Sequence, residues 1–366
     1  MKKNNRIVIG AGGTGGHLFP ASSIKKALEN IGYKVYLITD KRGKRFADKF
    51  ENISVIIGGG MSGESFFYRL RSLSKLAVGF IQTLYFMLKI RPVAVIGMGG
   101  YISVPVVLWG KILRKKTFIH NADSILGNAN ILLSKFADVT MVSFKDTKKI
   151  PTKANVKFTG LPLREDVKNV ANTPFTSVKG GKNITIVVMG GSQGAKIFGD
   201  IVSKAISMFD EKAKKRFFIY QQVVAEDIEK IKKFYKKIGV KAEIKAFFNN
   251  PAELLAKSNI FIGRSGASTV LEVGTVGRPA IFIPIMHKDR QQFINAEQIT
   301  SVGGGEIIPQ PEFSAKNLYK VLEKMVKNEN LLENMAKKAK IFQVKNDASK
   351  NIAKLVDGII KNKKGF

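Results

Sequence analysis

Three histidines are all that the 366-residue chain offers for proton transfer by imidazole, and each follows an apolar run: His17 after RIVIGAGGTGG, His120 after KKTFI and His287 after FIPIM. The first closes the stretch containing Gly10, Gly12, Gly13, Thr14, Gly15 and Gly16, just ahead of Pro20. Glycines placed this way let backbone N–H groups approach phosphate oxygens where a helix begins. Gly10, Gly12 and Gly15 satisfy GxGxxG, and Asp40 ends the second apolar run, so a dinucleotide is one candidate ligand; the same N–H groups would hold any diphosphate. Pro20 is expected in a first helical turn, which puts His17 at the helix start, where the macrodipole favours a neutral imidazole. A neutral histidine beside phosphates is a candidate general base, and a capping or structural histidine is the plainer alternative.

A second constellation lies between Gly263 and Gln298, in GRSGASTVLEVGTVGRPAIFIPIMHKDRQQFINAEQ. Ser265, Gly266, Ala267, Ser268 and Thr269 open a helix after the strand-like IFIG, offering N–H groups and hydroxyls to a second phosphate-bearing ligand. Glu272, one turn on, can accept both hydroxyls of a ribose, and Gln291 and Gln292 carry the donors and acceptors that read sugar hydroxyls. The chain has no cysteine, no HExxH and no Asp-x-Asp pair, so neither a protein-bound metal nor a cofactor is expected.

The elements that must hold these groups follow from hydrophobic patterning. Short β-branched runs (RIVIG, KVYLIT, VAVIG, KTFIH, NITIVVMG, RFFIYQ, EIKAF, IFIG, PAIFIPI) alternate with helical stretches. This predicts an α/β class with parallel sheets covered on both faces. IVIGAGGTGGHLFPAS is echoed by IVVMGGSQGAKIFGDI, so two similar Rossmann-like domains facing a cleft are expected. Residues 1–162 and 163–348 are assigned to them, the boundary falling in FTGLPLRED, with a last helix over about 349–366.

Lys+Arg 61 against Asp+Glu 28 gives a net charge of +33. Most of the excess is lysine spread along helices, which reads as solvated faces. No basic-aromatic motif or zinc module is present, so nucleic acid ranks low as a partner. The apolar run at the start is too short for a signal peptide, which leads to the expectation of a cytoplasmic protein. Between Ser62 and Pro92, Leu73, Leu76, Ala77, Phe80, Ile81, Leu84, Tyr85 and Leu88 share one helical face, flanked by arginine and lysine. A core helix and an interfacial helix on anionic lipid both fit this pattern.

GGTGGHLFPA, GMGGYISVP, GGSQGAK, RSGAST..E and HKDRQQ...NA occur in the order and spacing of the MurG family, which the chain resembles over nearly its whole length. The resemblance implies the glycosyltransferase B architecture, with the C-terminal helix crossing back to the first domain. It implies inverting transfer of N-acetylglucosamine from UDP-N-acetylglucosamine to the C4 hydroxyl of lipid I. That would be peptidoglycan synthesis by a peripheral protein on the cytoplasmic face of the bacterial inner membrane, with other cell-wall synthesis proteins as partners. Carried over by position, the donor site is Thr14, Gly15, Gly16, Asp123, Arg164, Ser192, Phe248, Ala267, Ser268, Thr269, Glu272, Gln291 and Gln292. Gly12 to Gly16 would hold the acceptor diphosphate and His17 would take the hydroxyl proton. Tyr101, His120 and Glu272 join His17 as catalytic candidates, and Phe66, Phe67, Phe80, Tyr85 and Phe86 form a membrane patch. Where the family commonly has Glu-Gln-Asn after the histidine, this chain has Asn121, Ala122 and Asp123. Two rivals remain. A UDP-N-acetylglucosamine 2-epimerase would share the donor site, and a dinucleotide-dependent oxidoreductase would use Gly10, Gly12, Gly15 and Asp40.

Overall fold

The computed structural model describes residues 5–13, 15–44, 51–57, 66–190, 196–286, 289–341 and 347–362. Among these, the side chains of residues 66–73, 76 and 329 lie outside the description. The chain divides into two compact units, Met1–Arg164 with Asn346–Phe366, and Glu165–Lys345.

The first unit is built on seven strands: β1 (Arg6–Gly10), β2 (Lys34–Thr39), β3 (Ile53–Val55), β4 (Ala94–Gly97), β5 (Lys116–Asn121), β6 (Val139–Val142) and β7 (Val156–Phe158). They pair in parallel in the order β3-β2-β1-β4-β5-β6-β7. Side chains alternate across the sheet. Ile7 and Ile9 pack on one face with Leu18, Ile24 and Leu28 of α1 (Gly15–Glu29), and Val8 packs on the other with Met87, Ile90 and Val106. Covering both faces is why these strands read as unbroken apolar runs. The last helix, Ala348–Lys361, adds Ile352, Ala353 and Val356 to the first of these clusters, and Tyr33 donates to its Asp357 at 2.8 Å.

The second unit repeats the plan with β8 (Ile184–Met189), β9 (Phe217–Gln222), β10 (Lys241–Lys245), β11 (Ile260–Gly263), β12 (Ala280–Phe282) and β13 (Gly305–Ile307), parallel in the order β10-β9-β8-β11-β12-β13. Arg278, 1% exposed, sits inside it. Its guanidinium donates to the carbonyls of Thr173, Pro174, Ala256, Val276 and Gly277. Several of these lie at helix C-terminal ends, where a cation is favoured and carbonyls lack helical partners. The two-domain α/β class follows the sequence pattern; β3, β6, β7 and β13 were not foreseen, and β3, β7 and β13 lie at sheet edges.

The segment with two readings forms one helix, α2 (Phe66–Ile90). It buries Gly79, Thr83, Met87 and Ile90, while Val78, Ile81, Tyr85 and Leu88 are exposed. Ile81, Tyr85 and Leu88, on the face that the sequence pattern would send to the core, therefore lie in solvent. A helix apolar nearly all round gives periodicity little to choose between. Within the expected patch, Phe80 and Phe86 turn partly inward, Phe80 stacking on Trp109 of α3 (Ser103–Ile112) with ring centroids 4.7 Å apart. Tyr85 stays exposed, and the Phe66 and Phe67 side chains lie outside the described residues. Among the described residues no helix is long and apolar enough to cross a membrane.

Candidate active site

In the first unit the site forms where β1 and β4 end side by side, Gly10 pairing with Gly97. The backbone must come close here: a Cβ on Gly10 would meet Val106 Cγ2 at 2.8 Å, and one on Gly97 would meet Val107 Cγ2 at the same distance. Ser103, at the start of α3, stitches the two turns. Its hydroxyl accepts from the Gly99 N–H at 2.8 Å and reaches the carbonyls of Gly99 at 2.8 Å and Gly10 at 3.2 Å.

His17 lies in the first turn of α1, half-buried, its ring in the groove between these turns. A Cβ on Gly99 would lie 3.0 Å from Nε2, and one on Gly12 would lie 3.3 Å from Nδ1. Burial pushes its pKa below the ordinary value, the Arg42 guanidinium pushes the same way, and the Asp40 carboxylate opposes them. The result is a neutral imidazole at neutral pH, fit to accept a proton. Pro20 falls in the second turn of α1 rather than the first, so the Gly16 carbonyl lacks its helical i→i+4 bond. Gly16 is exposed, and a Cβ there would meet nothing within 4 Å.

Asp40 is placed differently from a ribose-binding acid. Its Oδ2 accepts from Arg42 Nη2 at 2.7 Å and Nε at 3.1 Å, its Oδ1 from the N–H groups of Arg42 and Gly43 at 2.9 and 3.1 Å, and Gly13 adds a further backbone hydrogen bond. Burial favours its neutral form, but the hydrogen bond and charge of Arg42 and the two glycine N–H groups outweigh this and hold the carboxyl below its usual range. Gly13 must lack a side chain because a Cβ would collide with Asp40 Oδ1. Its N–H is therefore spent on Asp40, a correction to the expectation that it faces the acceptor diphosphate.

His120, at the end of β5, is fully buried. Its Nε2 lies 3.0 Å from the Gly160 carbonyl, and since a carbonyl only accepts, Nε2 carries the hydrogen. Burial drives its pKa down to about 4, opposed by that hydrogen bond. A side chain with no exposed surface does not touch substrate in this conformation, so the geometry makes His120 a brace rather than a catalytic contact. The next loop is folded on Asn121. Its Nδ2 donates to the carbonyls of Asp123 at 2.7 Å and Ile125 at 3.2 Å, and its Oδ1 accepts from Asn130 Nδ2 at 3.0 Å. Asp123 is half-buried on this loop, Tyr101 is exposed after the left-handed Gly99 and Gly100, and Arg164 ends the unit, half-buried.

In the second unit, Gly266 caps the helix Ala267–Val276 without a side-chain acceptor. The first-turn N–H groups at Ala267, Ser268 and Thr269 have no intrahelical partner, which leaves donors of the kind that suit an anion. Ser265 Oγ donates to the Gln292 carbonyl at 2.7 Å, Asn295 Nδ2 to the Ser265 carbonyl at 3.2 Å, and the Ile285 N–H to Gln292 Oε1 at 3.1 Å. These bonds bring the first turn of Gln291–Thr300, with Gln291 and Gln292, beside the start of the glycine-capped helix. Glu272 is half-buried one turn in. Phe248 is buried with its ring in the core against Tyr220, leaving its backbone as what it can offer a ligand. Thr14, Ser192 and His287 lie outside the described residues. Sequence reasoning missed the contacts that Arg42 and Ser103 make.

Residues 7–142 match the Glycosyltransferase family 28 N-terminal domain and residues 185–355 match its C-terminal domain. A Rhodospirillum centenum protein named UDP-N-acetylglucosamine–N-acetylmuramyl-(pentapeptide) pyrophosphoryl-undecaprenol N-acetylglucosamine transferase is 37% identical over 321 residues, covering 85% of this chain and 83% of its own. The chain belongs to this transferase family. As a family 28 glycosyltransferase it shares its fold with the crystal structure of Acinetobacter baumannii MurG, at TM-score 0.79 and 24% identity over 97% of this chain and 99% of that one. A Neisseria meningitidis UDP-GlcNAc 2-epimerase bound to UDP-GlcNAc aligns at TM-score 0.64 and 13% identity, over 98% of this chain and 100% of that one, a likeness of fold alone. The transferase assignment thus outweighs the epimerase, and the commitment of Asp40 to Arg42 removes the ribose acid on which the oxidoreductase reading relied.

Proposed function

We propose that this family 28 glycosyltransferase moves N-acetylglucosamine from UDP-N-acetylglucosamine to the C4 hydroxyl of undecaprenyl-diphospho-N-acetylmuramoyl-pentapeptide, with inversion, giving lipid II. The observation that carries the mechanism is the neutral imidazole of His17 lodged between two glycine turns. The glycine loop of the first unit holds the acceptor diphosphate, with Tyr101 beside it, and His17 takes the proton as the hydroxyl oxygen attacks the anomeric carbon. The bond from that carbon to UDP breaks on the opposite side. The first turn of Ala267–Val276 takes up the charge on the departing diphosphate, a role that the resemblance also assigns to Ser192 and Arg164, while Glu272, Gln291 and Gln292 hold hydroxyls. His120 and Asn121 shape the loop carrying Asp123.

The acceptor is lipid-linked, and the exposed apolar stripe Val78, Ile81, Tyr85 and Leu88, beside Lys75 and Lys89, suits an anionic membrane surface. This supports a peripheral place on the cytoplasmic face of the inner membrane, among other cell-wall synthesis proteins. The test is UDP release from UDP-N-acetylglucosamine with and without a short-chain lipid I analogue. Release only with acceptor, alongside a disaccharide product, is expected. Acceptor-independent conversion of the donor to its manno epimer would replace the transferase by the epimerase.

A further inference from the structure

The glycine loop has a carboxylate at its side. Asp40, 7% exposed, hydrogen-bonds to the Gly13 N–H, and a diphosphate settling on the same loop would meet that negative charge unless something neutralised it. Arg42 does so. Its backbone and guanidinium both bind Asp40, its Cβ lies 2.7 Å from where a Cβ of Gly13 would stand, and its charge reaches the His17 ring.

The fork is only partly used. Of an arginine's five N–H donors, one on Nε and one on Nη2 face Asp40, and among the described residues Nη1 has no partner. The side chain is 69% exposed, in contrast to the 10% of its carboxylate partner. Because the guanidinium stays in solvent, the pair adds less stability than one buried on both sides would. An arginine held by a buried carboxylate, with one face of its guanidinium turned away, is instead pre-organised for an anion.

We propose that Arg42 is an acceptor-binding residue: anchored by Asp40 beside Gly13, its guanidinium binds the acceptor's diphosphate. The proposal rests on reading the glycine loop as the acceptor diphosphate site. Asp40 then serves to orient Arg42, and its charge at the loop is cancelled.

The test is steady-state kinetics with the short-chain lipid I analogue, together with inhibition by farnesyl diphosphate and farnesyl monophosphate. Arg42→Gln should raise the acceptor KM by about tenfold or more, as loss of a charge-assisted hydrogen bond does. It should also abolish the preference for farnesyl diphosphate over the monophosphate, with the donor KM and Tm unchanged. Arg42→Lys, which keeps the charge without the fork, should fall between. An acceptor KM unchanged in Arg42→Gln but raised by Gly16→Ala would overturn the role of Arg42 while leaving the loop assignment standing. A raised acceptor KM with the diphosphate preference intact, or a rise in both KM values with a lowered Tm, would make Arg42 structural and also overturn it. Failure of farnesyl diphosphate to compete with acceptor in the unaltered protein would remove the loop assignment itself, and the proposal with it.

Discussion

The same backbone device occurs in both units, a strand ending in glycine and a helix whose first turn faces outward, yet the side chains around the two differ in kind. Near the start of α1 stand two histidines with depressed pKa values and the Asp40–Arg42 pair. Near Ala267–Val276 the surroundings are mostly hydroxyls and amides, those of Ser265, Ser268, Thr269, Gln291, Gln292 and Asn295, with Glu272 and Arg264 as the charged exceptions. A neutral polar environment can hold a sugar nucleotide without changing protonation. A proton can be moved only where a group is poised to take it.

The sharpest way to break this contrast is at His17. His17→Ala should lower turnover by roughly two to four orders of magnitude, whereas Ser268→Ala should act mainly on the donor KM. Because its pKa is lowered, the acid limb of kcat/KM should lie below pH 6.5, activity falling as pH drops through it. The charged groups around the ring are Arg42 and Asp40, with the neutral His120 as a further titratable neighbour. Arg42→Gln should move the limb upward and Asp40→Asn downward; a limb insensitive to both would separate His17 from proton transfer.

His120 sharpens the comparison through stability. It is neutral when folded down to about pH 4, whereas the unfolded chain protonates it near 6.5. Its contribution is therefore complete above pH 6.5 and falls between pH 6.5 and about 4, by about 3 kcal/mol in total. His120→Gln keeps a donor for Gly160, and denaturant titrations across that range should show a flatter pH dependence. An unchanged slope would locate the acid sensitivity elsewhere.

Smaller effects are expected at the paired glycines. Neither Gly16 nor Gly266 would bring a Cβ within 4 Å of other protein atoms. Alanine should leave Tm unchanged at both, while Gly16→Ala raises the acceptor KM and Gly266→Ala the donor KM, by about tenfold where a charge-assisted contact is displaced. Gly10→Ala, which would press on Val106, should instead cost about 1–3 kcal/mol of stability. Smallest of all, Ile81→Ser or Leu88→Ser should weaken binding to anionic vesicles by about tenfold or less, with the donor KM unchanged. Equal vesicle binding by parent and variants would detach this stripe from the membrane.

The sequence made the α/β class legible because β1, β2, β4, β5, β8, β9 and β11 are buried on both faces and show it as apolar runs. Of the strands it hid, three, β3, β7 and β13, lie at sheet edges, where one neighbour is missing and side chains are less constrained. His17 could be read from its glycines. Arg42 could not, because Asp40 at the end of β2 looked available for ribose, and only coordinates show its oxygens already occupied. The burial of His120 was equally hidden: a strand end is open or closed according to what lies over it, here the turn at Gly160, forty positions away.

The helix Ala348–Lys361 completes the core of the unit to which residues 5–164 belong. During synthesis, Leu18, Ile24 and Leu28 therefore wait for Ile352, Ala353 and Val356, while the second unit has all its strands much earlier. The order of emergence from the ribosome is thus not the order of completion. The half that carries His17 is the last to be finished, so a chain cut short before residue 348 would leave that half's core open.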